Sequence, residues 1–320
     1  MLLAADVGGT KTLLGLFRRT AGRPISLAVH SYPTSAFRSF AGMIDAFETD
    51  LRQSLAVDAV AAGVAGPVVN QRARLTNIAW DISATEIATR CRTDRVRLLN
   101  DVEAMAASVT VLEDDEVAVL QEGVARDNGN AVVIAAGTGL GQAYLYRVNG
   151  RLEPVASEGG HADFAPRTDR EIELVRRLRL TYGRAEVEHV VSGPGLTNLF
   201  HFTHTPGSCL SLSEAEPDPA AISRAALDGR CPACEEALAL FVSAYGSEAG
   251  NLALRGVATA GVFVGGGIAP RILPALQRGA FIEAFRGKPP MSDLLARMPV
   301  KVILNPEAAL LGAAVVANSL

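Results

Sequence analysis

Two short apolar runs, Leu2 to Val7 and Leu13 to Phe17, enclose the stretch Asp6-Val7-Gly8-Gly9-Thr10-Lys11-Thr12. Each run is too short for a helix and is bounded by glycine or polar residues. The pattern predicts a strand, a tight Gly-Gly turn and a returning strand. Paired glycines allow positive φ and let an anion approach the backbone N–H groups with no Cβ in the way. Thr10 and Thr12 add hydroxyl donors, and Asp6 ends the first strand, where a carboxylate can hold a hydrated divalent cation. Two readings stay open on these residues alone: a phosphate-and-magnesium turn, or an ordinary hairpin whose Asp caps the turn.

At 320 residues, 49% of them hydrophobic, the chain is long enough for a large core in one large domain or two. A formal charge of −4, with acids and bases interspersed, excludes an electrostatic footprint for nucleic acid or an anionic membrane. No apolar span reaches transmembrane length, and no basic or cleavage-site pattern marks a signal peptide, so a cytoplasmic protein is expected. Four cysteines are too few for a disulfide scaffold. Cys231 and Cys234 form a lone Cys-x-x-Cys with no second pair and no histidine nearby in sequence. A structural zinc site needs four ligands, so the role of this pair stays open.

Beyond the first turn, strands and helices alternate, which points to an α/β architecture. Apolar spacing predicts a helix within 39–57. A buried strand is expected over 57–66, and a helix over 82–91 with Ser83 as N-cap and Glu86 three residues on. Val96 to Leu99 reads as a strand delivering Asn100 and Asp101 to its carboxyl end, followed by an Ala-rich helix over 102–111. In open α/β sheets chemistry gathers where strands end. Asp101 fits either a catalytic base or a cap for that helix. Residues 186–191 alternate like a strand, 203–220 read as a surface loop, and 233–257 as a long helix. Gly246 and Gly250 in that helix predict a close helix–helix contact.

The opening plan recurs. Asn130 to Ala136 is apolar, Gly137-Thr138-Gly139-Leu140-Gly141 is a glycine turn, and Gln142 to Val148 is a returning strand. Two such units point to two related α/β domains. Because a strand follows each turn, and neither a dinucleotide fingerprint nor a Walker loop is present, Rossmann and P-loop readings are disfavoured.

These motifs, taken in order, resemble the bacterial glucokinases, within the hexokinase, actin and Hsp70 superfamily. The resemblance runs through nearly the whole chain. It rests on Asp-Val-Gly-Gly-Thr (6–10), Thr76-Asn77 with Trp80, Leu-Asn-Asp (99–101) and Gly-Thr-Gly-Leu-Gly (137–141). It continues in Glu-Gly-Gly-His-x-Asp-Phe-Ala-Pro (158–166), Ser-Gly-Pro-Gly-Leu (192–196), Gly-Gly-Ile-x-Pro-Arg (266–271) and Leu-Leu-Gly-Ala (310–313). His189 stands where relatives carry Arg, and no cysteine follows His161 until Cys209, unlike the sugar kinases with a zinc loop there.

The resemblance implies two α/β domains of the actin-like ATPase (ribonuclease H-like) type with a cleft between them. These would be a small domain of residues 1–106 with 306–320 and a large one of 107–305, closing on sugar. It implies an ATP-dependent kinase acting on the 6-hydroxyl of glucose, with Mg2+ as cofactor. Ala5, Asp6, Val7, Gly8, Gly9, Thr10, Gly137, Thr138 and Gly139 would face the phosphates, Asp6 holding magnesium through water. Gly265, Gly266 and Gly267 would face the adenosine. Asp101 would be the catalytic base, and Asn77, Asn100, Glu158, His161 and Glu188 would bind sugar with it. A homodimer is implied, with no nucleic-acid or membrane partner. A kinase for another hexose, or a sugar-sensing regulator of the same fold, is the alternative.

Overall fold

Leu2–Val7 forms β1, and its near-continuous apolar sequence follows from burial of both faces. Leu3, Ala5 and Val7 enter one core cluster, while Leu2 and Ala4 enter another on the opposite side of the sheet. The computed structural model describes residues 1–52, 54–75, 80–205 and 217–320. Asn77 and Cys209 lie outside them. Cα packing divides the chain into two compact units, one of residues 1–113, 151–156 and 305–320, the other of 114–150 and 157–304.

In the first unit, β2 (Lys11–Arg18), β3 (Ile25–Pro33), β4 (Ala59–Val64) and β5 (Val96–Asn100) join β1 in the order β3-β2-β1-β4-β5. β1 is antiparallel to β2 and parallel to β4, and β4 is parallel to β5. Asp6 therefore stands beside Gly63, and Gly63 beside Leu99. Helix α1 (Phe40–Leu51) starts at Ser39, whose hydroxyl accepts from the Gly42 N–H, and α2 (Ala84–Cys91) starts at Ser83. Helix α3 (Asp101–Ser108) begins directly at the end of β5. The C-terminal helix Ala308–Ser319 packs on α3, β1 and β4, nearly all of it buried.

The second unit repeats the motif. β6 (Val117–Gln121), β7 (Ala131–Ala136), β8 (Leu140–Val148), β9 (Gly261–Gly265) and β10 (Val300–Ile303) lie side by side as β8-β7-β9-β10-β6. The central β7 is antiparallel to β8 across the glycine turn and parallel to β9, as β1 is to β2 and β4. Helices α4 (Asp169–Tyr182), α5 (Gly193–Thr203), α6 (Pro232–Gly256) and α7 (Ala280–Arg286) surround the core. The expected close contact is present. A Cβ on Gly246 or Gly250 of α6 would stand 2.1 or 2.5 Å from the carbonyl oxygens of Phe281 and Phe285. Among the described residues no helix is long and apolar enough to cross a membrane.

One expectation fails. Residues 187–191 form turns rather than a strand, leading into the Ser192 cap of α5. Val187, Val190 and Val191 are buried at spacings of three and four, so β-branched composition misled where the spacing was that of a turn.

Tyr245, fully buried on α6, ties the two parallel strands together. Its hydroxyl accepts from the Ala136 N–H at 3.2 Å and faces the carbonyls of Ile134 (3.1 Å) and Gly265 (3.2 Å). Burial pushes its phenol well above the usual range, so the group acts as a neutral donor. Tyr245→Phe strands a buried N–H and should lower stability by about 1–3 kcal/mol in urea titrations. An unchanged midpoint would show that the hydroxyl does not hold these strand ends.

Candidate active site

The first unit brings two carboxylates together. Asp6 is the penultimate residue of β1, and Asp101 opens α3 just beyond β5. Gly63 on the intervening β4 makes the approach possible, because a Cβ there would meet the Ala104 Cβ at 2.7 Å and the Asp101 Cα at 3.5 Å. Burial and the Asp101 charge raise the Asp6 carboxyl to about 6, against a smaller opposing effect of Lys11. The N-cap is Asn100, whose Oδ1 accepts from Val102 N (2.9 Å) and Glu103 N (3.3 Å), and Asp101 Oδ1 shares the Val102 N–H at 2.9 Å. Glu103 returns a carboxylate to Asn100 N at 3.2 Å, completing a capping box, and Asn100 Nδ2 donates to Gly66 O. The amide of Asn100 is thus largely engaged in holding Asp101 in place.

The turn between β1 and β2 is closed by Gly8 N donating to Lys11 O at 3.1 Å. Thr34 clamps it from outside: its hydroxyl donates to Gly8 O (2.8 Å), and its N–H to Thr10 O (2.9 Å). Thr12 is not available as a phosphate donor. It is fully buried, and its proton goes to Thr34 Oγ1 at 2.9 Å, since the Thr34 proton serves Gly8. β2 is buried on both faces from Thr12 to Phe17, and only its end residues Lys11 and Arg18 are exposed. Ala5 and Val7 lie in the core as the floor of the turn, while Gly8, Gly9 and Thr10 face outward to varying degree. Asp6 and Asp101 offer only oxygen ligands, and their mutual repulsion is relieved by a cation. That chemistry fits a hydrated magnesium ion.

In the second unit the turn from Gly137 to Gly141 meets the Glu/His cluster. Glu188 accepts from Leu140 N at 2.7 Å, and Gly193 N donates to Gly137 O at 2.8 Å. A Cβ at position 139 would lie 2.6 Å from Glu188 Oε2, so only glycine admits this carboxylate. Thr138 is exposed and the space over Gly137 is open. Glu158 caps and His161 ends a short 3-10 turn whose Gly160 carbonyl accepts from Glu188 N at 2.9 Å. His161 Nδ1 pairs with Glu186 Oε2 at 2.7 Å. That hydrogen bond, then the charges of Glu188, Glu186 and Glu158, raise the imidazole above its usual value, while Glu186 is lowered by the same bond. The pair is therefore strongest above the ordinary range of a glutamate and fades as pH rises through the raised value of His161. Gly265 ends β9 as a Tyr245 partner, Gly266 has φ +82°, and Gly267 is exposed with open space over it.

Thr34, Gly63, Tyr245 and Glu186 escaped the sequence reading. Thr34 and Gly63 act at a distance in sequence that no local pattern links, and Glu186 sat inside the misread strand. Trp80 is a core residue, 4% exposed. His189, the departure from relatives, stacks on Tyr182 with centroids 4.0 Å apart.

A sequence profile of the glucokinase family matches residues 3–320. A glucokinase of Synechocystis sp. is 36% identical, over 98% of this chain and 97% of its own length. One from Nostoc sp. is also 36% identical, over 100% and 99%. A solved glucokinase from an Antarctic psychrotroph matches with a TM-score of 0.87 at 30% identity, covering 100% of this chain and 99% of that one. The glucokinase of Balamuthia mandrillaris, solved with glucose, shares the fold (TM-score 0.82, 20% identity, 99% and 93% covered). The α/β architecture of the actin-like ATPase type expected from the sequence is borne out.

The carboxylate pair has a direct signature. In carbon-detected NMR titrations the Asp6 carboxyl should have its midpoint near 6. Asp101→Asn, which removes one of the two raising effects, should bring it down toward the ordinary value of 3.8. A midpoint near 3.8 in the unaltered protein would mean the two groups do not share a buried site.

Proposed function

The chain belongs to the glucokinase family, and on that premise we propose that it transfers the γ-phosphoryl group of ATP to the 6-hydroxyl of D-glucose, giving glucose 6-phosphate. The observation that carries the reading at the level of residues is Asp101, held by the Asn100 capping box beside Asp6 at the edge of a glycine turn. Asp101 is the proton acceptor: it takes the proton of the sugar hydroxyl as that oxygen attacks the γ-phosphorus in line. Asn100 holds Asp101 in position, and Asn77, which lies outside the described residues, is assigned as a further sugar ligand by the resemblance of its motif.

Glu158, His161 and Glu188 bind sugar hydroxyls. Carboxylates accept, and an imidazole drawn toward its protonated form donates, so together they match groups that do both. Glu186 orients His161 and, through their hydrogen bond, raises the imidazole above its usual value, favouring that donor form. Backbone N–H groups of Gly9, Thr10, Thr138 and Gly139 serve the phosphate oxygens, where fixed dipoles stabilise charge developing in the transition state, while the N–H groups of Gly8 and Gly137 close the two turns on Lys11 O and Gly139 O. Gly265 to Gly267 offer bare backbone to the adenosine. Asp6 would hold magnesium through water, and that ion supplies neutralisation of phosphate charge when bound. Family membership also supports a cytoplasmic enzyme that works as a homodimer.

Asp101→Ala tests the assignment. In a coupled ADP-release assay across a panel of hexoses, the unaltered protein should favour glucose. The variant should lose about 10²- to 10⁴-fold in kcat with much smaller changes in KM. Near-normal kcat in the variant would remove Asp101 from the base role, and preference for another hexose would reassign the substrate.

A further inference from the structure

The Cys-x-x-Cys that the sequence left unassigned acquires a histidine in the fold. His204 is the C-cap residue of α5, Cys231 is the N-cap of α6, and Cys234 lies in the first turn of that helix. His204 Nε2 stands 3.4 Å from Cys231 Sγ and 3.6 Å from Cys234 Sγ, and all three ligand atoms lie within 4.8 Å of one another. Both cysteines are buried, at 6% and 0% exposure. We propose that His204, Cys231 and Cys234 bind a zinc ion that staples the end of α5 to the start of α6.

The distances suit a tetrahedral centre. Sulfur at about 2.3 Å and nitrogen at about 2.0–2.1 Å from one zinc stand about 3.6 Å apart when the angle between them is tetrahedral. The imidazole is also set for ligation. Nδ1 lies 2.8 Å from Phe200 O, a pure acceptor, so that nitrogen carries the proton and the lone pair of Nε2 faces the sulfurs. The ring is further fixed by stacking on Phe200, with centroids 3.7 Å apart. A ligating histidine anchored through its second nitrogen to a backbone carbonyl is the usual arrangement at metal centres.

Helix α6 begins at Pro232, so the positive end of its dipole lies beside Cys231 and Cys234. Two thiolates and an imidazole select a borderline-soft divalent ion over magnesium or calcium. The fourth donor comes from outside this trio. The ion is structural: α5 begins at Gly193, whose N–H holds the Gly137 carbonyl, so the staple supports the glycine turn from the far end of that helix.

Elemental analysis of the full chain, produced in zinc-supplemented medium and measured without nucleotide, should find about one zinc per chain. Chelation should lower Tm by about 5 °C or more, with recovery on adding back zinc. Cys231→Ser and His204→Gln should lose the metal, while Cys91→Ser, which alters a buried cysteine elsewhere, should keep it. Because a variant that fails to fold would also lose metal, the chelated unaltered protein is titrated with Co2+ in parallel. A thiolate-to-cobalt charge-transfer band that Zn2+ abolishes supports the site. Metal-free protein with a chelator-insensitive Tm and no such band would overturn the proposal, as would a Cys231–Cys234 disulfide in freshly isolated protein.

Discussion

Two carboxylates held close together in a partly buried site are the constraint on which the first unit turns. Left alone, Asp6 and Asp101 repel, and burial deprives both of water. The raised Asp6 value of about 6 is the measure of that tension. Sheet register creates it, since β1 and β5 are separated only by β4, with Gly63 level with Asp6. The Asn100 capping box then prevents the start of α3 from drifting away. A fold does not keep like charges together for stability. Such an arrangement belongs to sites that bind a cation and move a proton, where stability is given up locally for function.

The second unit uses the same strand–turn–strand plan for a different balance of charge. Its glycine turn receives a carboxylate, Glu188, on a backbone N–H, and the neighbouring acids hold His161 toward its protonated form. One unit therefore concentrates negative charge, while the other sets a donor among acceptors. The glycines are what let both turns work. At position 139 the carboxylate of Glu188 occupies the space a side chain would fill.

Much of this was legible in the sequence because it is local. The paired glycines, the strand ends at Asp6 and Asn100, the Ser83 cap and the Gly246/Gly250 contact all depend on residues near one another in the chain. What escaped depends on residues far apart. Thr34 reaches back to Gly8, Tyr245 to Ile134 and Gly265, and His204 to Cys231 and Cys234. Thr12 was misassigned because a hydroxyl beside a glycine turn reads as a donor, whereas β2 is buried on both faces and holds it against Thr34. Residues 187–191 were misread because valine-rich composition imitates a strand. The His204 case is the most instructive: the sequence shows no histidine near the cysteine pair, and only the meeting of two helix ends supplies one.

The pH dependence of the stability gained by Asp6→Asn tests the central claim most directly. An acid with a raised folded-state value destabilises the fold when ionised; the effect declines as pH falls through that value and vanishes only below the ordinary value of 3.8. Urea denaturation without divalent cations should therefore find the variant more stable by about 1–3 kcal/mol at about pH 8, with about half of that gain left near pH 5 and most of it gone near pH 4. A variant that is less stable at the higher pH, or equally shifted at both, would contradict the account.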